Sequence, residues 1–225
     1  MAETTDKYFA FFDLDMTVLN VNSGTLLVKR AYKNRLMDTG DLINAIIQGF
    51  RYRFNLRDTH IIITEMGKWL KGLPKVSLDK LCEEVANNLS VNNIRPEMIK
   101  EIEFHRKMGG AIILLTSSIN SLCEPFGKKI GSDGIICTVM ESKNGILTGM
   151  PAGKYCFDDE KRVRLQEWCI KNNSDPAKAW YYADSIADLS ALEAVGHPVC
   201  VSPDKNLRKA AIQRGWRIIN CASLS

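Results

Sequence analysis

The sequence predicts an α/β fold: a doubly wound parallel sheet with a helical domain inserted after the first strand. Two observations carry this prediction. Short apolar runs alternate with longer amphipathic stretches along most of the chain, whereas residues 22–95 contain helical patterns without a series of such runs. Apolar runs of this length are typical of buried strands, and their alternation with helices is typical of βαβ units on a parallel sheet.

Six apolar runs are predicted as strands of the sheet. They cover residues 8–14, 111–116, 134–139, 179–183, 198–201 and 216–219. Helices are predicted between them at residues 96–108, 158–173 and 204–214. The first of these has Pro96 in its first turn and ends at Gly109, which are the usual start and stop signals. Asn144 and Gly145 predict the turn of a small hairpin over residues 139–148.

The segment after the first predicted strand is expected to be mostly helical. Its candidate helices cover residues 23–34, 39–54 and 78–88. We therefore predict two domains, a Rossmann-like core formed by residues 1–21 and 96–225, and a helical cap formed by residues 22–95.

Composition excludes several classes of protein. With 45% hydrophobic and 25% charged residues, the chain has the make-up of a globular protein and not of a disordered one. The net charge of +4 is small and its basic residues are spread out, so a nucleic-acid partner is not expected. The apolar runs are too short to cross a bilayer, and no signal peptide is expected. An odd number of cysteines, seven, without a CxxC pair predicts neither disulfides nor zinc and favours the cytoplasm.

Two carboxylates follow the first predicted strand. Asp13 and Asp15 are two residues apart, and side chains with this spacing leave an extended segment on the same side. Ligands of open α/β sheets bind beyond the carboxyl ends of the strands. Two carboxylates in one small space repel each other unless a cation or a proton compensates them. The alternative interpretation is a pair of capping or turn aspartates.

Hydroxyl groups follow the second predicted strand. Thr116, Ser117 and Ser118 come at its end, just before an expected helix. The free N–H groups at a helix start bind anions, so this segment is a candidate phosphate site. A plain helix cap is the alternative.

Two more carboxylates, Asp184 and Asp188, follow the fourth predicted strand, and Lys161 lies in the helical pattern before it. A site lined by several aspartate oxygens suits Mg²⁺. Taken one at a time, the two aspartates could be helix caps and the lysine could be a solvated surface residue. Together, at the strand ends of one chain, they favour a shared site for a metal ion and a phosphate group.

The motifs resemble those of a known family. FDLDMT at 12–17, LLTSS at 114–118, Lys161 and DSIAD at 184–188 look like the four motifs of the haloacid-dehalogenase superfamily. The resemblance is to its phosphoserine-phosphatase-like branch, subfamily IB, which carries a helical cap after the first motif. The tail HPVCVSPDKNLRKAAIQRGWRII resembles that branch as well. The resemblance covers about residues 8–20 and 96–220.

This resemblance implies a Mg²⁺-dependent phosphatase that works through an aspartyl-phosphate. Asp13 is expected to be the nucleophile and a metal ligand. Asp15 is expected to protonate the leaving alcohol and then to deprotonate water, while its backbone carbonyl binds the metal. Lys161 is expected to neutralise Asp13 and the phosphate.

The same resemblance implies the remaining site residues. Thr116 and the N–H group of Ser117, with Ser118 beside them, are expected to hold phosphoryl oxygens. Asp184 is expected to be a further metal ligand, and Asp188 its support or an alternative ligand. The implied partner is a small phosphorylated substrate, and a monomer and a simple homodimer are equally expected.

The sequence leaves several alternatives open. Lys154 is a second candidate for the motif lysine, although the context favours Lys161. Asn22 stands where phosphoserine phosphatases carry an acidic residue for the substrate's amino group, so phosphoserine is one candidate substrate and not a settled one. A phosphomutase, or a catalytically silent phosphate-binding protein of the same fold, would use the same motifs. Ligand types do not distinguish Mg²⁺ from Mn²⁺.

The predicted cap contains a cluster of basic and aromatic residues with two interpretations. It could form a pocket for a second anionic or an aromatic group of the substrate, or an amphipathic helix with its aromatics in the core and its arginines in water. The residues are Phe50, Arg51, Tyr52, Arg53, Phe54, Arg57, Lys68 and Trp69.

Overall fold

The structure of the protein is a computed structural model that describes residues 8–53, 64–65, 67–89 and 93–222. Six strands of this described chain form one parallel sheet, in the order β3-β2-β1-β6-β7-β8. Their bounds are β1 Phe9–Phe12, β2 Ala111–Ile119, β3 Gly134–Thr138, β6 Trp180–Ala183, β7 His197–Val201 and β8 Arg217–Ile219. The antiparallel hairpin is formed by β4 Met140–Lys143 and β5 Ile146–Pro151. All six predicted strands and the hairpin are confirmed.

The helices of the described residues agree with most of the predicted ones. They are α1 Ser23–Lys33, α2 Thr39–Arg53, α3 Lys75–Asn88, α4 Pro96–Lys107, α5 Asn120–Ile130, α6 Asp159–Lys171, α7 Leu189–Glu193 and α8 Lys205–Arg214. The prediction missed the short α7, and it began α3 three residues too late, since the helix starts directly after Pro74. No helix of the described residues is long and apolar enough to cross a membrane.

Strand β1 is the central strand and the switch point of the sheet. The chain runs from β1 to β2 and β3 on one side, and later continues from β6 to β7 and β8 on the other side. Phe12 is in register with Leu114 of β2 and with Tyr182 of β6. The carboxyl ends of these three strands therefore meet at one edge, where open α/β sheets bind their ligands.

Two apolar clusters cover the two faces of the sheet. Ala10 and Phe12 of β1 belong to one cluster, and Phe9 and Phe11 to the other. All four side chains are buried, as expected for a strand covered on both faces. The helices between β1 and β2 pack on the first cluster, which includes Leu27 of α1.

The inserted segment leaves and rejoins the core through a short paired neck. Leu19 and Ile94 form an antiparallel bridge, and the N–H group of Arg95 donates to the carbonyl of Val18 at 2.9 Å. The β4–β5 hairpin extends from the core onto the insertion, where the Leu147 N–H group donates to the Leu73 carbonyl at 2.9 Å. The neck lies close to the predicted boundaries, and the division into two domains stays a prediction.

Candidate active site

Asp13 begins the site at the end of β1. Its N–H group donates to the carbonyl of Tyr182 at 2.9 Å, which continues the pairing of β1 with β6 and aims the side chain over the edge of the sheet. The carboxylate is buried. Its Oδ1 atom accepts a hydrogen bond from Lys161 Nζ at 3.0 Å.

Lys161 lies at the centre of a buried ion group. Its ammonium group donates to Asp13, to Asp188 Oδ1 at 2.6 Å and to the Tyr181 hydroxyl at 3.3 Å. The Tyr181 hydroxyl in turn donates to Asp188 Oδ1 at 2.8 Å. Burial alone would lower the pKa of Lys161, but the carboxylates of Asp13 and Asp188 raise it well above its usual value. The lysine therefore stays charged.

Three carboxylates converge beside this lysine. Asp13, Asp184 and Asp188 each offer an oxygen atom, and these atoms lie within 4.8 Å of one another. The Thr17 hydroxyl donates to Asp184 Oδ1 at 3.2 Å and orients that side chain. An oxygen-only donor set of this kind fits a hard divalent cation such as Mg²⁺.

One lysine does not balance the charge of the three carboxylates. Burial raises the pKa of Asp13 to about 7, against the pull of Lys161 and with a further push from Asp188. Burial, with the charges of Asp13 and Asp188, likewise raises the pKa of Asp184 to about 8. Such shifts mark a place where a second positive charge would be strongly favoured.

The carboxylate of Asp15 points away from the three-carboxylate cluster. Its Oδ1 atom accepts a hydrogen bond from the N–H group of Ser23 at 2.8 Å, at the start of α1. Burial raises the pKa of Asp15, and the hydrogen bonds of Ser23 partly oppose that rise. Met16 turns the chain here with a φ of 59°, a left-handed conformation that a non-glycine residue adopts only where the surroundings hold it. The two aspartates thus have different partners, since Asp13 pairs with Lys161 and Asp15 accepts from the start of α1.

The hydroxyl residues at the end of β2 are not helix caps. Helix α5 begins at Asn120, and its capping residue Ile119 makes no side-chain cap. Thr116 is buried, and its hydroxyl accepts a hydrogen bond from the N–H group of Ser118 at 3.3 Å. The Ser117 side chain is exposed. The capping interpretation of this segment is thus wrong, and its backbone and hydroxyl groups lie at the edge of the sheet where Asp13 lies.

A cavity of about 320 Å³ adjoins the site and includes Asp15, Ser117 and Ser118 in its wall. The rest of the wall comes from the start of α1 with Asn22 before it, from Gly49 of α2, from residues 67–70, from the junction of β2 and α5, from the ends of β3 and β4 that meet at residues 138–140, and from the segment before α6. The cavity therefore lies between the strand ends and the inserted helices.

The loop that carries Asp184 and Asp188 is held from outside by Asp204. The Asp204 Oδ2 atom accepts from the N–H group of Ile186 at 2.7 Å, and the Asp204 N–H group donates to the Asp184 carbonyl at 2.8 Å. The same carboxylate caps α8 through the N–H group of Leu207 at 2.8 Å. The proline-aspartate step of the tail thus fixes the last motif.

The structure brings most of the predicted residues to one place and resolves the choice of lysine by geometry. Lys161 contacts Asp13, whereas Lys154 is exposed and pairs with Glu160 at 3.5 Å. The sequence interpretation missed Thr17, although it belongs to the first motif, and Tyr181, which has the pattern of a buried strand residue. The side chains of Arg51, Arg53 and Arg57 lie outside the described residues, and so do those of Phe50, Tyr52 and Phe54.

Known proteins share much of this sequence. The chain is 28% identical over 216 residues to the inhibition of morphological differentiation protein of Streptomyces azureus, covering 94% of this chain and 77% of the relative. It is 27% identical over 222 residues to a histidinol-phosphatase of Neisseria meningitidis serogroup C, covering 95% and 99%. A phosphoserine phosphatase of Mycobacterium tuberculosis is 24% identical over 213 residues, covering 93% and 69%.

Solved structures share the fold. A protein of unknown function from Bordetella pertussis Tohama I superposes with a TM-score of 0.86 at 25% identity, covering 96% of this chain and 99% of the other. A phospho-aspartyl intermediate analogue of phosphoserine phosphatase superposes with a TM-score of 0.70 at 15% identity, covering 91% and 90%.

The profile of the haloacid dehalogenase-like hydrolases matches residues 10–193, a range that contains Asp13, Thr116, Lys161 and Asp184. Two of the relatives above are named as phosphatases, one for histidinol phosphate and one for phosphoserine. The chain therefore belongs to the haloacid dehalogenase-like hydrolase family as a phosphatase-type hydrolase, and it is similar to phosphoserine phosphatases in sequence and fold.

Proposed function

We propose that this chain is a Mg²⁺-dependent phosphomonoester hydrolase that forms an aspartyl-phosphate on Asp13 and acts on a small phosphorylated metabolite. The observation that carries the proposal is the buried group of Asp13, Lys161, Asp184 and Asp188. It combines a nucleophile, a fixed cation and an incomplete balance of charge at the edge of the sheet where substrates bind.

Asp13 is the nucleophile in this proposal. Lys161 engages Oδ1 of its carboxylate, which fixes the group and leaves Oδ2 for attack on phosphorus. The attack forms the bond between Asp13 and phosphorus and breaks the bond between phosphorus and the alcohol oxygen. A covalent intermediate divides one difficult step into two easier ones. Lys161 holds positive charge beside the phosphoryl group, which is the main help that phosphoryl transfer needs.

Asp15 is the acid and then the base. Burial raises its pKa and so favours the protonated carboxyl group, and in the proposal this proton passes to the leaving alcohol oxygen. The resulting carboxylate then takes a proton from the water that attacks the aspartyl-phosphate. Two neighbouring carboxyl groups perform opposite tasks when their environments differ, as those of Asp13 and Asp15 do.

The carboxylates of Asp13, Asp184 and Asp188 fit a bound Mg²⁺ because all three offer oxygen atoms within 4.8 Å of one another. The backbone carbonyl of Asp15 completes the proposed protein ligands. When bound, the cation neutralises charge on the phosphoryl oxygens and on the ionised aspartates.

The substrate phosphate is held by Thr116, Ser117 and Ser118 in this proposal. Two of them line the cavity that receives the rest of the substrate. Residues 22–95 act as the cap, which covers this cavity and keeps water from the reacting groups until the alcohol has left.

Release of phosphate from a panel of phosphomonoesters, measured with Mg²⁺ and with EDTA, tests the proposal. Asp13→Asn is expected to lower activity at least about a thousandfold because it removes the nucleophile. The matched control is Asp159→Asn, which changes an exposed aspartate of α6 and is expected to keep full activity. Acid quenching of the wild type is expected to trap a hydroxylamine-sensitive phosphate on the peptide that contains Asp13.

Two results would overturn the proposal. Activity of Asp13→Asn near the wild-type rate would exclude Asp13 as the nucleophile, and full activity in EDTA would exclude the metal. Transfer of phosphate to a second site of the substrate without release of free phosphate would identify a phosphomutase instead.

A further inference from the structure

The cavity beside Asp15 has a mostly apolar wall. The apolar side chains that line it are those of Leu27, Val28, Trp69, Leu70, Ile119, Leu122, Met140 and Phe157. Trp69 is half-buried and packs against the core cluster of the insertion, so its ring forms a fixed part of the wall. At about 320 Å³, the cavity is at the small end of the range for small-molecule sites, enough for a body of about one ring.

Polar atoms of two side chains of this wall, Asn22 and Thr138, are already engaged within the protein. Asn22 Oδ1 accepts from the N–H group of Thr25 at 2.8 Å and from its hydroxyl at 3.0 Å. The Thr138 hydroxyl donates to the Ser117 carbonyl at 3.1 Å and accepts from the N–H group of Cys156 at 3.0 Å. Asn22 Oδ1 and the Thr138 hydroxyl would have to give up good hydrogen bonds to bind a charged substrate group.

Asp15 is the one charged side chain among the described residues of the wall. The proposed function uses it for proton transfer, so it is not free to pair with an ammonium group. A carboxylate or ammonium group without a partner loses several kcal/mol on entering such a cavity, whereas an apolar body gains about 25 cal/mol for each Å² that it removes from water.

From this wall we infer that the enzyme acts on phosphomonoesters whose alcohol is an uncharged, apolar body, in preference to phosphorylated amino acids. The inference rests on the proposed function and names its substrate class. The phosphate lies at the strand ends, and the apolar body fills the cavity against Trp69, Val28 and Met140.

The first test compares kcat/KM for four esters at saturating Mg²⁺: 2-phenylethyl phosphate, phosphoserine, phosphoethanolamine and methyl phosphate. We expect 2-phenylethyl phosphate to exceed phosphoserine at least about tenfold, since hydrophobic pockets discriminate by such factors. Equal or higher kcat/KM for phosphoserine would overturn the inference.

The second test adds a charge to the wall without changing its shape. Asn22→Asp keeps a good helix cap for α1, and it supplies a carboxylate for an ammonium group. We expect the ratio of kcat/KM for phosphoethanolamine to that for 2-phenylethyl phosphate to rise about fivefold, as for a partly exposed charge pair. The matched control is Asn87→Asp, which adds the same charge at an exposed position of α3 outside the cavity wall.

The third test removes apolar surface. Trp69→Ala is expected to lower the ratio of kcat/KM for 2-phenylethyl phosphate to that for methyl phosphate about tenfold. Tyr32→Ala is the matched control, because this aromatic residue of α1 is exposed and outside the cavity wall. An unchanged ratio in Trp69→Ala would contradict the inference.

The outcomes separate the inference from the proposed function. Activity that needs Mg²⁺ and Asp13, combined with a preference for phosphoserine, would remove the inference and leave the proposed function standing. Absence of activity on all four esters, methyl phosphate included, would overturn both.

Discussion

Two neighbouring tyrosines of β6 lead into two different buried polar networks. Tyr181 lies on the face of the sheet that contains Lys161 and Asp188 and forms hydrogen bonds with both. Tyr182 lies on the opposite face, where its hydroxyl forms hydrogen bonds with His105 and Glu101. Alternation along a strand sends adjacent side chains to opposite faces. The two networks thus begin at adjacent residues of one short strand, and they differ in their charge and in their exposure.

The network around Tyr182 is complete. Its hydroxyl donates to Glu101 Oε2 at 2.7 Å and contacts His105 Nε2 at 2.8 Å, while the Tyr8 hydroxyl contacts His105 Nδ1 at 3.0 Å. Because the Tyr182 proton is used by Glu101, a neutral His105 protonated at Nε2 satisfies all three contacts. Glu101 pairs with Arg217 through two hydrogen bonds of 2.9 and 2.5 Å. Its charges balance.

The network around Tyr181 is incomplete. Within the described part of the chain, Lys161 is the one cation paired with Asp13 and Asp188, and Asp184 adds a third carboxylate nearby. The contrast teaches how to separate a structural polar network from a functional one in the same sheet. The balanced network around Tyr182 ends in an ion pair at the surface. The unbalanced network around Tyr181 contains carboxyl groups whose pKa values are raised by burial and by like charge, which is typical of catalytic sites.

The largest expected effect comes from Lys161→Met, which breaks the unbalanced network. It leaves buried carboxylates without their cation, so the free energy of unfolding is expected to fall by about 3–5 kcal/mol, together with loss of activity. Urea unfolding with and without Mg²⁺ measures the change, and Mg²⁺ is expected to restore part of it.

Lys154→Met is the control for this variant, because that lysine is exposed and seven residues away along the chain. It is expected to change stability by less than about 0.5 kcal/mol. Equal effects of the two substitutions would show that Lys161 is not the cation that the site depends on.

The next effect is on the pH dependence of stability in EDTA. The pKa values of Asp13 and Asp184 are raised in the folded state to about 7 and about 8, above the ordinary 3.8. Their contribution to the free energy of unfolding is therefore fully present below about pH 4 and is lost as the pH rises through 7 and 8. We expect the melting temperature to fall by about 5 °C or more between pH 6.5 and 8.5.

His105 contributes with the opposite sign. Burial lowers its pKa from 6.5 to about 4, so its contribution is present above pH 6.5 and is lost as the pH falls toward 4. Melting curves of two variants separate the networks. Asp184→Asn is expected to reduce the fall of the melting temperature above pH 6.5. His105→Phe removes the opposing contribution of the histidine, so the melting temperature of this variant is expected to fall already from about pH 4. A profile of Asp184→Asn that matches the wild type would contradict this assignment.

The smallest effect is expected at the outer end of the balanced network. Arg217→Met removes the partner of Glu101 at a half-exposed position, where ion pairs contribute up to about 1 kcal/mol. Thermal melting is expected to show a small loss, with kcat/KM unchanged within about twofold. A large loss of activity would mean that the two networks are coupled through β6.

Much of the fold could be predicted because its signals are local. Apolar runs marked every strand of the sheet, and Pro96, Gly109 and the Asn144-Gly145 pair marked ends and turns that the structure confirms. The miss at α7 has a physical reason, since a helix of five residues is too short to show a period. The start of α3 was placed late because the residues before Leu78 do not follow the apolar pattern.

The candidate site was only partly predictable. Asp13, Thr116 and Asp184 follow strands that carry clear apolar signals, so their convergence followed from the topology of a parallel sheet. The contact of Tyr181 with Asp188 could not be predicted in this way. A tyrosine in an apolar run gives the same sequence pattern whether or not its hydroxyl group forms a hydrogen bond. The wall of the cavity combines seven separated segments, and no local pattern relates them.

The sequence by itself determined the family, the strand-helix alternation and the set of charged residues at the strand ends, because each of these depends only on short stretches of chain. Only the tertiary structure decided that Lys161 and not Lys154 reaches Asp13, across 148 residues of sequence. It also decided that Asp13 and Asp15, two residues apart, lie in different surroundings, because Asp13 pairs with Lys161 of α6 and Asp15 accepts from Ser23 of α1. Contacts between distant segments depend on how the elements pack, and the local pattern of residues does not contain that information.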